Sequence, residues 1–276
     1  MAYIHWNLDP VILKAFGITL QYYGILFVLG LILAALLMRK IFADNKIPIE
    51  NWDKLIVYAA IGIFAGARLG HCLFYEPDYY LAHPLEMILP ISPKPGGGYE
   101  FSGYRGLASH GGAIGLIIAL FFYSKRTKLS FIKMLDFIAI VTPITAFFIR
   151  IANLTNSEII GKPADVPWAF VFERVDSIPR HPTQVYEAIA YLVIFCINWF
   201  LYKKYGTEKS YGFYFGLTIT LIFGFRFFVE FIKERDIEFS GVVNLDMGQV
   251  LSIPFVLLGI GCMVYSSLRR RKMGSR

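Results

Sequence analysis

Apolar runs close to twenty residues long recur along this chain, at about 18–40, 54–75, 107–124, 133–153, 184–203, 211–232 and 248–268. A helix rises about 1.5 Å per residue, so such a run matches the roughly 30 Å hydrocarbon core of a bilayer. Backbone amides placed in hydrocarbon must be satisfied within their own segment, which leaves helices as the form for continuous apolar runs. The expected fold is an all-α polytopic membrane protein with about seven transmembrane helices. We read it as a single membrane domain over 1–276, with inserts at 76–106 and 154–183 expected to be irregular loops. Hydrophobic residues make up 56% of the chain, more than a soluble domain carries.

The net charge of +7 raises nucleic acid as a partner, but the basic residues cluster between apolar runs, as in membrane loops, so no nucleic acid is expected. Sixteen lysines and arginines, from Arg39 and Lys40 through Lys209 to Arg276, fall in segments on one side, against eight on the other, among them Lys94, Arg105, Lys233 and Arg235. The richer side is the cytoplasm. The amino terminus is then outside and the carboxyl terminus inside. Both long inserts form an outer-face (periplasmic) loop or head region. Met1 begins a segment with no basic start and no cleavage site, so no removable signal peptide is expected.

Cys72, Cys196 and Cys262 lie inside apolar runs without CxxC or metal spacing. Neither zinc nor a disulfide framework is expected, and no cofactor is called for. Gly62, Gly66 and Gly70 form a doubled GxxxG, and Gly111 with Gly115 and Gly212 with Gly216 repeat the spacing. Close helix packing explains such stripes.

Charges within the apolar runs are costly and need a reason. Arg150 ends one run in FFIRIANLTNSEIIG, with Asn153 and Ser157 near its helical face. Asn156 and Glu158 reach that face only if the helix ends first. Two plainer explanations compete. Arg150 reaches up to headgroups, or Thr155 and Glu158 form a capping box for a following helix. Asn153-Leu154-Thr155 also matches a glycosylation acceptor. Arg226 and Glu230 stand one turn apart, as an ion pair or as part of a site. Two outer-leaflet arginines on different helices fit a shared anion, since guanidinium forks match phosphate oxygens. Arg68 is a third candidate, with packing the simpler account. A lone histidine in a membrane helix is most simply a core residue, but His110 stands beside Gly111 and Gly112, which open room for a ligand or a bent backbone, and a histidine's ordinary pKa suits proton transfer near neutrality. Tyr22 and Tyr23 fit an interfacial aromatic belt. Gln184 and Glu187 enter a membrane helix without an evident reason.

Taken in order, Tyr23-Gly24, His110-Gly111-Gly112, the block Arg150, Asn153, Asn156, Glu158, Gly161, HPTQVYE at 181–187 and FRFFVEF at 225–231 resemble the bacterial prolipoprotein diacylglyceryl transferase family. The resemblance spans nearly the whole chain. It implies a seven-helix enzyme of the bacterial inner membrane. Such an enzyme moves the diacylglyceryl group of phosphatidylglycerol onto the lipobox cysteine of a preprolipoprotein, giving a thioether and glycerol phosphate. It further implies that Arg150 contacts the phospholipid and that Asn153, Asn156, Glu158 and Gly161 complete its signature. Arg226 and Glu230 match a second functional pair, and His110 and Tyr23 match essential positions. His110, Arg150, Arg226 and Tyr23 are thus the candidate catalytic residues. Asn153, Asn156, Glu158, Gly161, Glu230, Gly111 and Gly112 are candidates for substrate binding. Ile149, Leu154-Thr155 and Ile222 depart from common family residues.

The chemistry fits these residue types. A free thiol ionises near pH 8.5, so sulfur attack on an sp³ carbon gains from a positioned base. His110 is the best candidate by type, with Glu158 and Glu230 as alternatives. Guanidinium groups stabilise charge gathering on a departing phosphate. The competing reading is a transporter of an anionic solute, but that function needs polar residues leading to both faces, and here they concentrate on one.

Overall fold

The computed structural model describes residues 3–15, 18–94, 97–101, 106–207, 211–234 and 245–274. Arg105, Lys209, Arg235 and Arg276, used in the charge count, lie outside them. The chain divides into two compact units, residues 1–41 with 135–276, and residues 42–134.

Among the described residues, six helices are long and apolar enough to cross a membrane: α1 (Tyr22–Asp44), α2 (Ile49–Phe74), α6 (Phe131–Thr155), α7 (Thr183–Tyr205), α8 (Phe213–Val229, extended by a 3-10 turn to Ile232) and α9 (Met247–Gly274). The protein is a multi-pass, all-α membrane protein. The run at 107–124 is also helical, as α5 (Ser109–Thr127). It falls short of the six because glycines fill its first turns and Lys125 and Arg126 close it. The first helix has the expected length but lies four residues further along the chain than the run at 18–40. Residues 18–21 form a strand, β3 (Ile18–Gln21), antiparallel to β2 (Val11–Ala15), and α1 starts only at Tyr22.

The inserts are more regular than their Pro and Gly content suggested. Residues 76–106 hold α3 (Pro77–Ala82), α4 (Pro84–Ile88) and a hairpin of β4 (Ile91–Pro93) with β5 (Tyr99–Phe101). Each short helix has proline in its first turn, where the missing N–H costs nothing. Residues 154–183 hold β6 (Phe170–Phe172) and β7 (Pro179–Arg180). Strand β6 is the centre of a small sheet, parallel to β1 (Ile4–Trp6) on one side and antiparallel to β7 on the other.

In the unit of residues 42–134, the glycine stripe explains how α2 and α5 meet. A Cβ added at Gly66 would lie 2.7 Å from Gly115 Cα, and one at Gly70 would lie 2.7 Å from Gly111 Cα. Side chains do not fit at that separation, so the backbones touch directly. Arg68 is absorbed by the same unit. It is 6% exposed, stacks over the Tyr80 ring at 4.7 Å and donates to the carbonyls of Met87 and Glu86. Its donors are committed to protein acceptors, so packing accounts for it.

In the other unit, α8 meets α9 through Gly216 and Gly259, where an added Cβ at Gly259 would sit 2.6 Å from Gly216 O. Gly212 has a different task. It precedes α8 with φ of 89°, a backbone region that suits glycine. Asp136 of α6 accepts hydrogen bonds from Gly212 N at 2.8 Å and Phe215 N at 2.9 Å, so it caps α8 from a neighbouring helix.

Candidate active site

The site is built on the way α6 ends. After Thr155 the chain turns back through Ser157, with φ of 55°, and Ile159, with φ of 59°. A β-branched residue rarely adopts that conformation, so the turn is strained and needs support. Support comes from the start of α7. Thr183 Oγ1 donates to Ile159 O at 2.7 Å, and Gln184 Nε2 donates to Glu158 O at 2.7 Å. This is why a glutamine enters a membrane helix: it satisfies a carbonyl that no helix takes up. Beneath the turn, Leu154, Ile160 and Phe172 pack with Trp6, Phe170 and Val185, and Trp6 Nε1 donates to Leu154 O at 3.0 Å.

The reversal brings Glu158 back beside the residues one turn earlier. Arg150 Nη1 donates to Asn153 Oδ1 at 3.0 Å, and Asn153 Nδ2 donates to Glu158 Oε1 at 2.7 Å. Asn156 Nδ2 lies 3.5 Å from the same carboxylate oxygen. No helix follows Thr155, whose hydroxyl donates back to Ala152 O, so the capping box does not form. Asn153 is buried inside a helix with its amide engaged, which also removes the glycosylation reading. Tyr23 of α1 lies close enough for Glu158, Arg150 and Asn153 to act on its hydroxyl.

The other side of Arg150 faces α7. Its Nε lies 3.2 Å from Glu187 Oε2, and its guanidinium carbon lies 5.9 Å from the centre of the Tyr191 ring. Tyr191 donates to Glu187 Oε1 at 3.2 Å. Lys233 Nζ stands 3.7 Å from Glu187 Oε2 and 3.7 Å from Glu230 Oε2. Burial pushes the Lys233 ammonium below its ordinary range, opposed by Glu187 and Glu230 and reinforced by Arg150 and Arg226. Arg226 is near enough to influence both Tyr191 and Lys233. Among the described residues it makes no ion pair with Glu230, so the simple intrahelical pair is absent. Glu230 instead approaches the start of α9, where a Cβ at Gly248 would lie 2.8 Å from its Oε2.

Three cations, Arg150, Arg226 and Lys233, thus lie in one region with three carboxylates, the buried Glu187, the half-buried Glu230 and the exposed Glu158. Their charges balance, but their hydrogen bonds do not. The Nε atoms of Arg150 and Arg226 are buried and make no hydrogen bond, that of Arg150 being only ion-paired with Glu187, and Asn156 Oδ1 and Ser157 Oγ are buried without a hydrogen-bond partner. Unmet buried donors on two guanidiniums suit an anion with several oxygens. Gly161 sits where three segments cross. A Cβ there would lie 2.6 Å from His181 Cβ and 2.9 Å from Ile232 O.

His110, Gly111 and Gly112 belong to the other unit. His110 is exposed at the second position of α5. Gly111 faces Gly66 and Gly70, while Gly112 has Ile63 O at 3.4 Å from its added Cβ.

The family model for prolipoprotein diacylglyceryl transferase matches residues 10–265. The chain belongs to the prolipoprotein diacylglyceryl transferase family. Proteins named phosphatidylglycerol–prolipoprotein diacylglyceryl transferase are similar to it along nearly their full lengths. The one from Bacteroides fragilis is 54% identical, with 95% of each chain covered. That from Porphyromonas gingivalis is 42% identical, covering 95% of this chain and 94% of its own. That from Chloroherpeton thalassium is 41% identical, covering 99% and 97%. These are group-transfer enzymes by name, not solute carriers.

For this diacylglyceryl transferase family member, sequence reasoning missed Lys233, counted only as a loop charge, and the pairing of Glu187 with Arg150. A signal for Glu187 was present: a carboxylate five residues into an apolar run demands a buried cation. No comparable signal marked Tyr191, which reads as an ordinary helix aromatic.

Proposed function

We propose that this protein transfers the diacylglyceryl group of phosphatidylglycerol to the lipobox cysteine of preprolipoproteins, the first step of lipoprotein maturation. In the reaction the cysteine thiol loses its proton to a base. Sulfur attacks the terminal glyceryl carbon, the carbon–oxygen bond to phosphate breaks, and glycerol phosphate departs with the bonding electrons. The observation that carries this reading is the pair of part-buried guanidiniums on Arg150 and Arg226 whose buried Nε atoms make no hydrogen bond, that of Arg150 being held only by its ion pair with Glu187 at 3.2 Å. They supply two guanidinium edges in low dielectric for a phosphate whose charge grows as the bond breaks.

Each remaining candidate has a task. Asn153 orients Arg150, and Glu158 holds Asn153 in turn. Asn156 meets the glycerol hydroxyls of the headgroup. Tyr23 and Glu230 border the same space. Gly161 keeps the strained turn tight against His181 and Ile232. His110 accepts the thiol proton, with Gly111 and Gly112 keeping the backbone beside it free of side chains. The active site opens to the outer leaflet of the inner membrane. The amino terminus is periplasmic, the carboxyl terminus is cytoplasmic, and α5 is a seventh crossing within one membrane domain. The basic residue asymmetry supports that orientation.

The direct test incubates the purified protein with phosphatidylglycerol and a synthetic lipobox peptide. The expected product is a peptide heavier by one diacylglyceryl group, absent when the peptide cysteine is replaced by serine. A peptide of unchanged mass, with correctly folded enzyme, would remove the assignment.

A further inference from the structure

Within the charged cluster, one carboxylate oxygen stands between two cations. Glu187 Oε2 lies 3.2 Å from Arg150 Nε and 3.7 Å from Lys233 Nζ, and no hydrogen bond meets it. The other oxygen, Oε1, is tied to the Tyr191 hydroxyl at 3.2 Å. The Glu187 side chain is 0% exposed and that of Lys233 is 12% exposed. A carboxylate hydrogen-bonded at one oxygen and only ion-paired at the other swings about the hydrogen-bonded oxygen with little side-chain motion.

The arrangement poses a problem for any incoming phosphate diester. Its oxygens need the Arg150 edge that Glu187 occupies. Two anions on one guanidinium in a buried site repel, and a buried carboxylate left without a cation is strongly unfavourable. Glu187 must therefore give up Arg150 and still keep a positive partner. Lys233 is placed for that, and its second neighbour, Glu230, leaves its ammonium 3.7 Å from either carboxylate without a committed bond to one.

We propose that Glu187 and Lys233 form a counter-ion exchange pair that frees Arg150 for the phosphate of the lipid substrate. In the empty site Glu187 holds Arg150 in place. When the phosphate diester arrives, Glu187 Oε2 swings to Lys233 and Arg150 closes on the phosphate. When glycerol phosphate leaves, Glu187 returns to Arg150 and helps to displace it. Both are positioning residues, acting on substrate through Arg150. The inference rests on the reading of this site as the lipid phosphate clamp.

The test is a double-mutant cycle on Glu187→Gln and Lys233→Met, reading KM for phosphatidylglycerol in mixed micelles with a fixed lipobox peptide. Lys233→Met leaves Glu187 locked on Arg150, so KM should rise about 10-fold, within the range of coupling between contacting residues. Adding Glu187→Gln removes the carboxylate that needs a home, so the double variant should return to within about 3-fold of wild type. Glu187→Gln alone should keep or lower KM, reduce kcat, and make added glycerol phosphate inhibit about 10-fold more strongly. That last arm separates retention of the small product from retention of the lipid.

A direct contact between Lys233 and phosphate, or a purely structural lysine, predicts a double variant as poor as Lys233→Met. That result overturns the exchange, as does Lys233→Met with an unchanged KM. If Lys233→Met does not fold, Lys233→Gln placed in the Glu187→Gln background gives the same decision. Exchange predicts no further change in KM, and direct contact predicts a rise. An inactive wild-type protein would instead strike at the diacylglyceryl transfer reading itself.

Discussion

Asn153 Nδ2 donates to Glu158 Oε1 at 2.7 Å across the turn that ends α6, while Asn153 Oδ1 accepts from Arg150. One amide thus joins a buried cation to a carboxylate that would otherwise lie at the wrong end of the helix. Its two ends are chemically different, and both are used. Asn153→Asp keeps the acceptor for Arg150 but sets a carboxylate against Glu158. A buried hydrogen-bond loss of this kind costs about 1–3 kcal/mol. The KM for phosphatidylglycerol should rise by about 5- to 150-fold. An Asn153→Asp variant with wild-type kinetics would mean that the chain from Arg150 to Glu158 has no role.

The Asp136 cap concerns stability instead of chemistry. Its two oxygens take the backbone donors of Gly212 and Phe215. Asp136→Ala frees both, and loss of a cap costs about 0.5–2 kcal/mol. Thermal unfolding in detergent should shift downward, while turnover per folded molecule well below the transition stays near wild type. Loss of turnover at unchanged Tm would contradict a purely structural role.

The crossing of α2 and α5 offers a harsher test. Gly115→Leu must force apart backbones that now touch at Gly62 and Gly66. Overpacking typically costs about 1–3 kcal/mol. Folded yield should fall sharply, whereas Gly24→Ala, where an added Cβ meets nothing within 4 Å, should leave yield unchanged. Equal yields would show that the glycine stripe is not a close-packing seam.

A pH dependence follows from the insert between α6 and α7. Asp176 is held below the usual carboxylate range by hydrogen bonds from Arg180, assisted by the Ile178 amide, against the opposing effect of burial. A depressed carboxylate stabilises the folded form above its unfolded pKa, and that contribution disappears as pH falls through the lower folded value. Amide protection at Ile178, corrected for intrinsic exchange, should hold from pH 7 to about pH 4 and decline below it. In Asp176→Asn the decline should be absent. A decline that persists unchanged in this variant would assign the effect to another group.

His110 separates a base from a binding group. If it accepts the thiol proton, His110→Gln should lower turnover by about 10²–10⁴-fold, because glutamine cannot accept a proton near neutrality. Raising pH toward 9 ionises more of the substrate thiol, so the deficit should shrink. A deficit independent of pH would make His110 a hydrogen-bonding residue.

The parts of this molecule that were legible in its sequence are those with a strong local rule. Apolar length marked the membrane helices, and four-residue glycine spacing marked the α2–α5 seam. The i, i+3 relation of Arg150 to Asn153 was readable as well, and so was the need for the helix to stop before Glu158 could join them. What escaped depended on long-range geometry. Strands of two to five residues are too short to show alternation, so both inserts looked irregular. Residues 18–21 continue an apolar run, and only pairing with 11–15 makes them a strand. Lys233 looked like one loop charge among several, because nothing local says that Glu187, 46 positions earlier, lies 3.7 Å from it.

The most direct measurement is kcat/KM for diacylglyceryl transfer by Arg150→Lys, with folding checked by thermal unfolding. Lysine keeps the positive charge but lacks the planar fork that reaches Asn153 and Glu187 together and that matches phosphate oxygens two at a time. A loss of at least about 100-fold, with Tm near wild type, is the result expected of a guanidinium clamp. Turnover within a few-fold of wild type would show that any cation at this position suffices, and that Arg150 does not grip the phosphate.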